Sequence, residues 1–156
     1  MNHHNHYGSA HNTPKFIVVH CMGEFIEVGD CAEHAADFLL RQGLSAHVLV
    51  APGGEVYRCR LDSEGAYHAK SFNTDSLGIE FLVKGEHDYD SFAKAIEKPY
   101  LDDEQYKAGV TQVREWLKLH KIDMIVRHSE LSPGRKIDPG EGFPWEKFLI
   151  DVHCVE

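Results

Sequence analysis

Four short runs rich in β-branched and aromatic residues, each bounded by polar or turn-forming residues, constrain this chain more than any other feature. They are Phe16-Ile-Val-Val-His20, Ala46 to Ala51, Leu77-Gly-Ile-Glu-Phe-Leu-Val83 and Met124-Ile-Val-Arg127. A fifth, Glu55 to Cys59, follows the second after Pro52-Gly-Gly, which is a hairpin pattern. Helical patterns separate the others. Asp30 to Gln42 opens with Asp30 and Glu33 in capping-box-like spacing and stops at Gly43. Asp102-x-x-Gln105 opens a longer amphipathic helix to about His120, with Tyr106, Val110, Val113, Trp116 and Leu117 on one stripe. Lys84 to Pro99 is polar and reads as a loop with a short helix, and Trp145 to Val152 as a short closing helix. Strands joined partly by a hairpin and partly by helices predict an α/β fold, a single domain with a mixed central β-sheet flanked by helices.

A chain of 156 residues is one ordinary domain with its own core. No repeat or linker divides it. Residues 1–13 are polar and carry His3, His4, His6 and His11, and they are expected to form a flexible N-terminal tail ahead of a folded domain at 14–156. Twenty-five Asp and Glu against sixteen Lys and Arg give a net charge of −9, which opposes a nucleic-acid partner, since phosphate contacts need clustered cations. No apolar run approaches membrane-spanning length, so no membrane insertion is expected. The first residues have neither the basic region nor the apolar core of a signal peptide, so cytoplasmic synthesis without general secretory export is expected. Cys21, Cys31, Cys59 and Cys154 form no Cys-x-x-Cys pair and read as buried or idle thiols. Cys21 follows His20 directly, so on a strand it faces the other way and does not share a metal with it.

The chemistry is concentrated near the end of the chain, in His128-Ser-Glu-Leu-Ser-Pro-Gly-Arg-Lys136-Ile-Asp138-Pro-Gly. Lys136 and Asp138 are two apart, so in an extended segment their side chains point the same way. A carboxylate there can ligate a metal while the neighbouring cation steadies an oxyanion. Of the twelve histidines, His34, His87, His120 and His153 sit on polar or helical segments and read as solvated, and His47 reads as structural. His20 and His128 differ, because each directly follows an apolar strand, where α/β sheets present ligand-binding groups. Each alone is a packed or solvated histidine as readily as a ligand. With Asp138 they make a two-histidine, one-carboxylate set that leaves a coordination position open, suited to catalytic zinc or equally to non-haem iron.

Glu80 is a carboxylate inside an otherwise apolar strand. Either it lies exposed on an outer sheet face, or it stands at the metal site as a proton shuttle for water. Gly78, two residues earlier on the same face, would leave room for a substrate. His68, in Tyr-His-Ala, is either a substrate-carbonyl donor or a satisfied surface histidine.

Four stretches resemble the zinc-dependent N-acetylmuramoyl-L-alanine amidases of the AmpD and peptidoglycan-recognition-protein superfamily, which includes phage endolysin amidases. They are Ile17-Val-Val-His20; Ser45-Ala-His-Val with Pro-Gly-Gly-Glu-Val-Tyr; Tyr67-His-Ala leading to Asn73-x-x-Ser-Leu-Gly-Ile-Glu80; and Val126-Arg-His128 through Lys136-Ile-Asp138-Pro-Gly to Phe-Pro-Trp145. They come in family order over residues 14 to 150. The resemblance implies an amidase-like fold, one zinc ion held by His20, His128 and Asp138, a catalytic pair of Glu80 and Lys136, and His68 as a substrate contact. The reaction it implies is hydrolysis of the amide between N-acetylmuramic acid and L-alanine in peptidoglycan or muropeptides. Some phage members carry a cysteine as third ligand and a tyrosine just before the strand histidine. Here those positions resemble Asp138 and Ala46, which points to AmpD-like chemistry.

A single catalytic domain of this kind, acting as a monomer, is expected to be a phage endolysin. The alternatives are a cytosolic enzyme recycling anhydro-muropeptides and, in another class, a module that binds peptidoglycan without cutting it.

Overall fold

In the computed structural model, residues 7–23 and 31–154 are described. The strands are β1 (Phe16–Met22), β2 (Val48–Val50), β3 (Val56–Arg58), β4 (Ser76–Leu82) and β5 (Met124–Arg127). The helices are α1 (Ala32–Arg41), α2 (Tyr89–Ala95), α3 (Asp103–Leu119), α4 (His128–Leu131) and α5 (Trp145–His153). One five-stranded sheet runs in the order β3-β2-β4-β1-β5. Only the β2–β3 hairpin is antiparallel; β2–β4, β4–β1 and β1–β5 are parallel. This is the mixed sheet flanked by helices that the pattern predicts.

Alternation along the strands divides the core in two. Ile17, Val19 and Cys21 of β1, Val48 and Val50 of β2, and Leu77, Ile79 and Phe81 of β4 face one side. They pack there against Val110, Val113 and Trp116 of α3 and Phe148 and Val152 of α5. The approach of α3 is close: a Cβ on Gly109 would lie 2.3 Å from the Phe81 ring. On the opposite side, Met22, Leu49, Ala51 and Leu82 pack against Ala32, Ala35, Ala36 and Leu39 of α1. The middle of that second face is polar, carrying His20, His47, Ser76 and Glu80, all buried.

Local signals account for the helix ends. Asp102 accepts from the Gln105 backbone N–H at 2.7 Å, as the capping pattern requires, and its other oxygen accepts from Gly53 N–H at 2.7 Å. The Gln105 side chain does not close the box. It is buried, and its amide donates to the carbonyls of Val50 and Leu82, tying α3 to the ends of β2 and β4. Helix α1 closes where Gly43 turns to φ +69° and Leu44 N–H returns to the Leu39 carbonyl. Its N-cap is Cys31, with no side-chain cap bond; Asp30, expected to open it, lies outside the described residues.

His3, His4 and His6 of the polar N-terminus also lie outside the described residues. From Tyr7 onward the chain is bonded to the domain. Ser9 O accepts from Gly65 N–H and Arg60 Nη2, and Asn12 Nδ2 donates to the Asp62 and Ser76 carbonyls, each at 2.9 Å. His120 is not merely solvated: its Nε2 lies 2.9 Å from an Asp62 carboxylate that also accepts from Arg58 and Trp116. The four cysteines are free thiols, Cys21 and Cys59 buried. No helix among the described residues is long and apolar enough to cross a membrane.

Candidate metal and catalytic centre

Strand register assembles the site. His20 is the parallel partner of Glu80, and both side chains project from the same sheet face. On the other side of β1, Val19 pairs with Arg127, the last residue of β5. The chain turns into α4 at the next position, so His128 stands beside His20. Glu80, His20 and His128 thus form a row across β4, β1 and β5, where neighbouring strands are about 4.8 Å apart. His128 does follow its strand directly, but His20 does not end one. Strand β1 continues through Cys21 and Met22, paired with Phe81 and Leu82, and that extension seats His20 at 2% exposure on the sheet. Glu80 is 8% exposed, which excludes the reading of it as a solvent-facing carboxylate.

Asp138 arrives from the connection after α4. Its carbonyl accepts from Ser129 N–H at 3.0 Å. The next carbonyl, of Pro139, accepts from the Tyr100 hydroxyl at 2.7 Å and faces the Cys21 thiol at 3.6 Å. Cys21 points to the opposite side of the strand from His20, as expected from their adjacency, and serves beneath the site as an anchor for this loop.

The three predicted ligands converge. His20 Nδ1 lies 3.0 Å from His128 Nδ1 and 3.2 Å from Asp138 Oδ2, and His128 Nδ1 lies 3.1 and 3.2 Å from the two Asp138 oxygens. Ligands bound at about 2.0–2.2 Å in a tetrahedral site lie roughly 3.3–3.6 Å apart. The cluster is therefore within a few tenths of an ångström of that spacing. Among the described residues, these three are the group of metal-ligating side chains whose atoms lie mutually within 4.8 Å. The electrostatics agree. Burial pulls the His20 pKa below its ordinary value, against the opposing influence of the Asp138 carboxylate, so the imidazole is neutral and carries a lone pair. Burial pushes Asp138 up, but the neighbouring His128 and His20 side chains prevail and hold it well below the usual carboxylate range. Two imidazoles and one carboxylate, buried together, are a donor set that fits a divalent cation.

Glu80, Lys136 and His68 line the same cavity, of about 430 Å³, as the three candidate ligands. Lys136 is close enough that its charge also disfavours protonation of His20. His68 stands with Nδ1 2.8 Å from His20 Nε2 and Nε2 2.9 Å from Ser76 Oγ, so both ring nitrogens are engaged within the protein. The space left by Gly78 belongs to this ring, not to a substrate: a Cβ there would come within 2.5 Å of His68. His47 is structural. Its Nδ1 accepts from Gly78 N–H at 3.0 Å, and its Nε2 donates to the Glu64 carbonyl at 2.7 Å. Asn73, Ser76 and Tyr100 have no assignment from sequence reasoning, although Asn73 and Ser76 lie inside a stretch that carries the resemblance. Asn73 Oδ1 accepts from the backbone N–H groups of His68 and Ala69, which sets the loop bearing His68.

The sequence profile of the family described as N-acetylmuramoyl-L-alanine amidase matches residues 10–141, most of the chain and every residue of this cluster. The chain belongs to the N-acetylmuramoyl-L-alanine amidase family. The 1,6-anhydro-N-acetylmuramyl-L-alanine amidase AmpD of Haemophilus influenzae is 31% identical over 120 residues, covering 70% of this chain and 59% of that protein. The chain thus spans about three-fifths of the length of this relative. The endolysin N-acetylmuramoyl-L-alanine amidase LysCS of Clostridium intestinale superposes with a TM-score of 0.74 at 19% identity, covering 99% of this chain and 95% of that one. The amidase AmiD of E. coli, solved with anhydro-N-acetylmuramic acid-L-Ala-D-γ-Glu-L-Lys, superposes with a TM-score of 0.69 at 22% identity, covering 94% and 60%. Both superpositions place the amidase sheet and its flanking helices on this chain's fold.

Proposed function

We propose that this amidase-family chain is a zinc-dependent N-acetylmuramoyl-L-alanine amidase that hydrolyses the amide between N-acetylmuramic acid and L-alanine, and that it works as a phage endolysin. The observation that carries the chemistry is the buried row of Glu80, His20 and His128, completed by Asp138, at the wall of one cavity. His20, His128 and Asp138 would hold the metal. When bound there, zinc supplies a Lewis acid that brings the pKa of water toward neutrality.

The remaining work falls to side chains of this chain. Glu80, one strand from His20, takes the proton of the attacking water and returns it to the departing L-alanine amine. Lys136 places a positive charge beside the carbonyl oxygen as negative charge develops on it. A module that only binds peptidoglycan needs no buried carboxylate in register with a metal-ligating histidine, so the geometry favours hydrolysis. The endolysin role is supported by a solved endolysin amidase whose fold matches over 99% of this chain and 95% of its own. The AmpD relative, by its name, points instead to anhydro-muropeptides.

One assay tests both layers. The chain is incubated with intact sacculi and, separately, with soluble anhydro-muropeptide, and products are identified by mass. Release of stem peptide with a free L-alanine amine from sacculi is expected. Cleavage of the soluble muropeptide alone would replace the endolysin role with recycling, and cleavage of neither would remove the amidase proposal.

A further inference from the structure

We infer that Ser76 and His68 form a hydrogen-bond relay that selects the tautomer of His20 and so presents its Nδ1 lone pair to the metal. The chain of contacts begins at a backbone carbonyl, which can only accept. Ser76 Oγ donates its single proton to Phe72 O at 2.6 Å. With that proton committed, the hydroxyl can only accept from His68 Nε2, 2.9 Å away, so His68 carries its proton there. The Nδ1 of the neutral His68 ring is then a lone pair, and it faces His20 Nε2 at 2.8 Å. His20 then donates from Nε2 to His68 rather than from Nδ1 to the Asp138 carboxylate 3.2 Å away, which leaves Nδ1 unprotonated and facing His128 Nδ1 at 3.0 Å. The opposite polarity would require Ser76 to abandon the Phe72 carbonyl.

The surroundings hold this relay in one arrangement. Ser76 is fully buried on β4, and His68 stands over Gly78, where any side chain would displace the ring. Asn73 fixes the backbone at His68 and Ala69. His68 is thus a positioning residue for His20, with its ring nitrogens committed to the protein. Metal-ligating histidines are oriented in this way by the partner of their other nitrogen, and loss of such a partner weakens metal binding about 10–100-fold.

The last step of the relay rests on the proposed metal centre; the tautomer does not, so the two are measured separately. In metal-free, 15N-histidine-labelled protein, long-range 1H–15N correlation should show His20 as a single Nε2–H tautomer. A wild-type Nδ1–H tautomer would overturn the relay. In Ser76→Ala, with melting temperature as a control on folding, His20 should become a mixture of tautomers. Zinc affinity, measured by chelator competition, should fall about 10–100-fold. A folded Ser76→Ala protein with an unchanged tautomer and unchanged zinc affinity would also overturn it. If the wild type shows the Nε2–H tautomer but binds no zinc, the metal reading fails and the relay stands.

Discussion

His20 and Glu80 are register partners on neighbouring parallel strands, both buried on one face of the sheet. A candidate metal ligand and a candidate proton acceptor are therefore held at fixed separation by backbone hydrogen bonds rather than by loops. This should make Glu80 separable from the fold. Glu80→Gln keeps size and hydrogen-bonding capacity but cannot accept a proton. It should retain zinc and melting temperature while kcat falls about a hundred- to ten-thousand-fold, read from amine release. A near-wild-type rate would make Glu80 structural.

Lys136 lines the cavity from the loop that also brings Asp138. Lys136→Met keeps the stem and removes the charge. The expected result is normal zinc content and stability, a lower kcat and little change in ground-state binding, because the charge acts as the oxyanion develops. Changed zinc content or early melting would mean that Lys136 only neutralises Asp138 or Glu80.

His47 supplies a pH prediction. Burial outweighs its bond to the Glu64 carbonyl and lowers its pKa from 6.5 to about 4. Above pH 6.5 it is neutral folded or unfolded and does not affect the balance. Between about 6.5 and 4 the unfolded chain binds the proton and the fold does not, so stability falls as pH falls, by up to about 3 kcal/mol, and levels off below. Denaturant melts across this window should show that loss, reduced in His47→Gln. An identical pH dependence in the two proteins would remove His47 as its source.

Gly78→Ala sets a methyl group 2.5 Å from the His68 ring. It should cost about 1–3 kcal/mol and weaken zinc binding by shifting His68 from His20. Thermal melting and chelator competition check the two effects. Unchanged values for both would show that the ring has other space.

Much of this site is legible in the chain. β-branched runs mark the strands, and a carboxylate within an apolar run marks Glu80. His128 directly after its strand is visible for the same reason. What escapes a linear reading is what pairing decides. Nothing in Phe16–His20 says that β1 continues two residues further, because Cys21 and Met22 belong to the strand through their partners on β4. The space at Gly78 is visible, but its occupant, a ring ten residues away in the chain, is not. Gln105 has the residue type of a capping box and is instead drawn to two strand-end carbonyls. Likewise Ser76 and Tyr100 act through carbonyl groups, which carry no sequence signature.

The most direct test of the centre is a zinc titration of metal-stripped protein, read as the rate of L-alanine amine release from muropeptide substrate. The rate should rise from near zero to a plateau at one zinc per chain, and no such rise should occur in His128→Ala. Full cleavage before zinc is added, or the same titration in His128→Ala, would contradict a metal centre built from His20, His128 and Asp138.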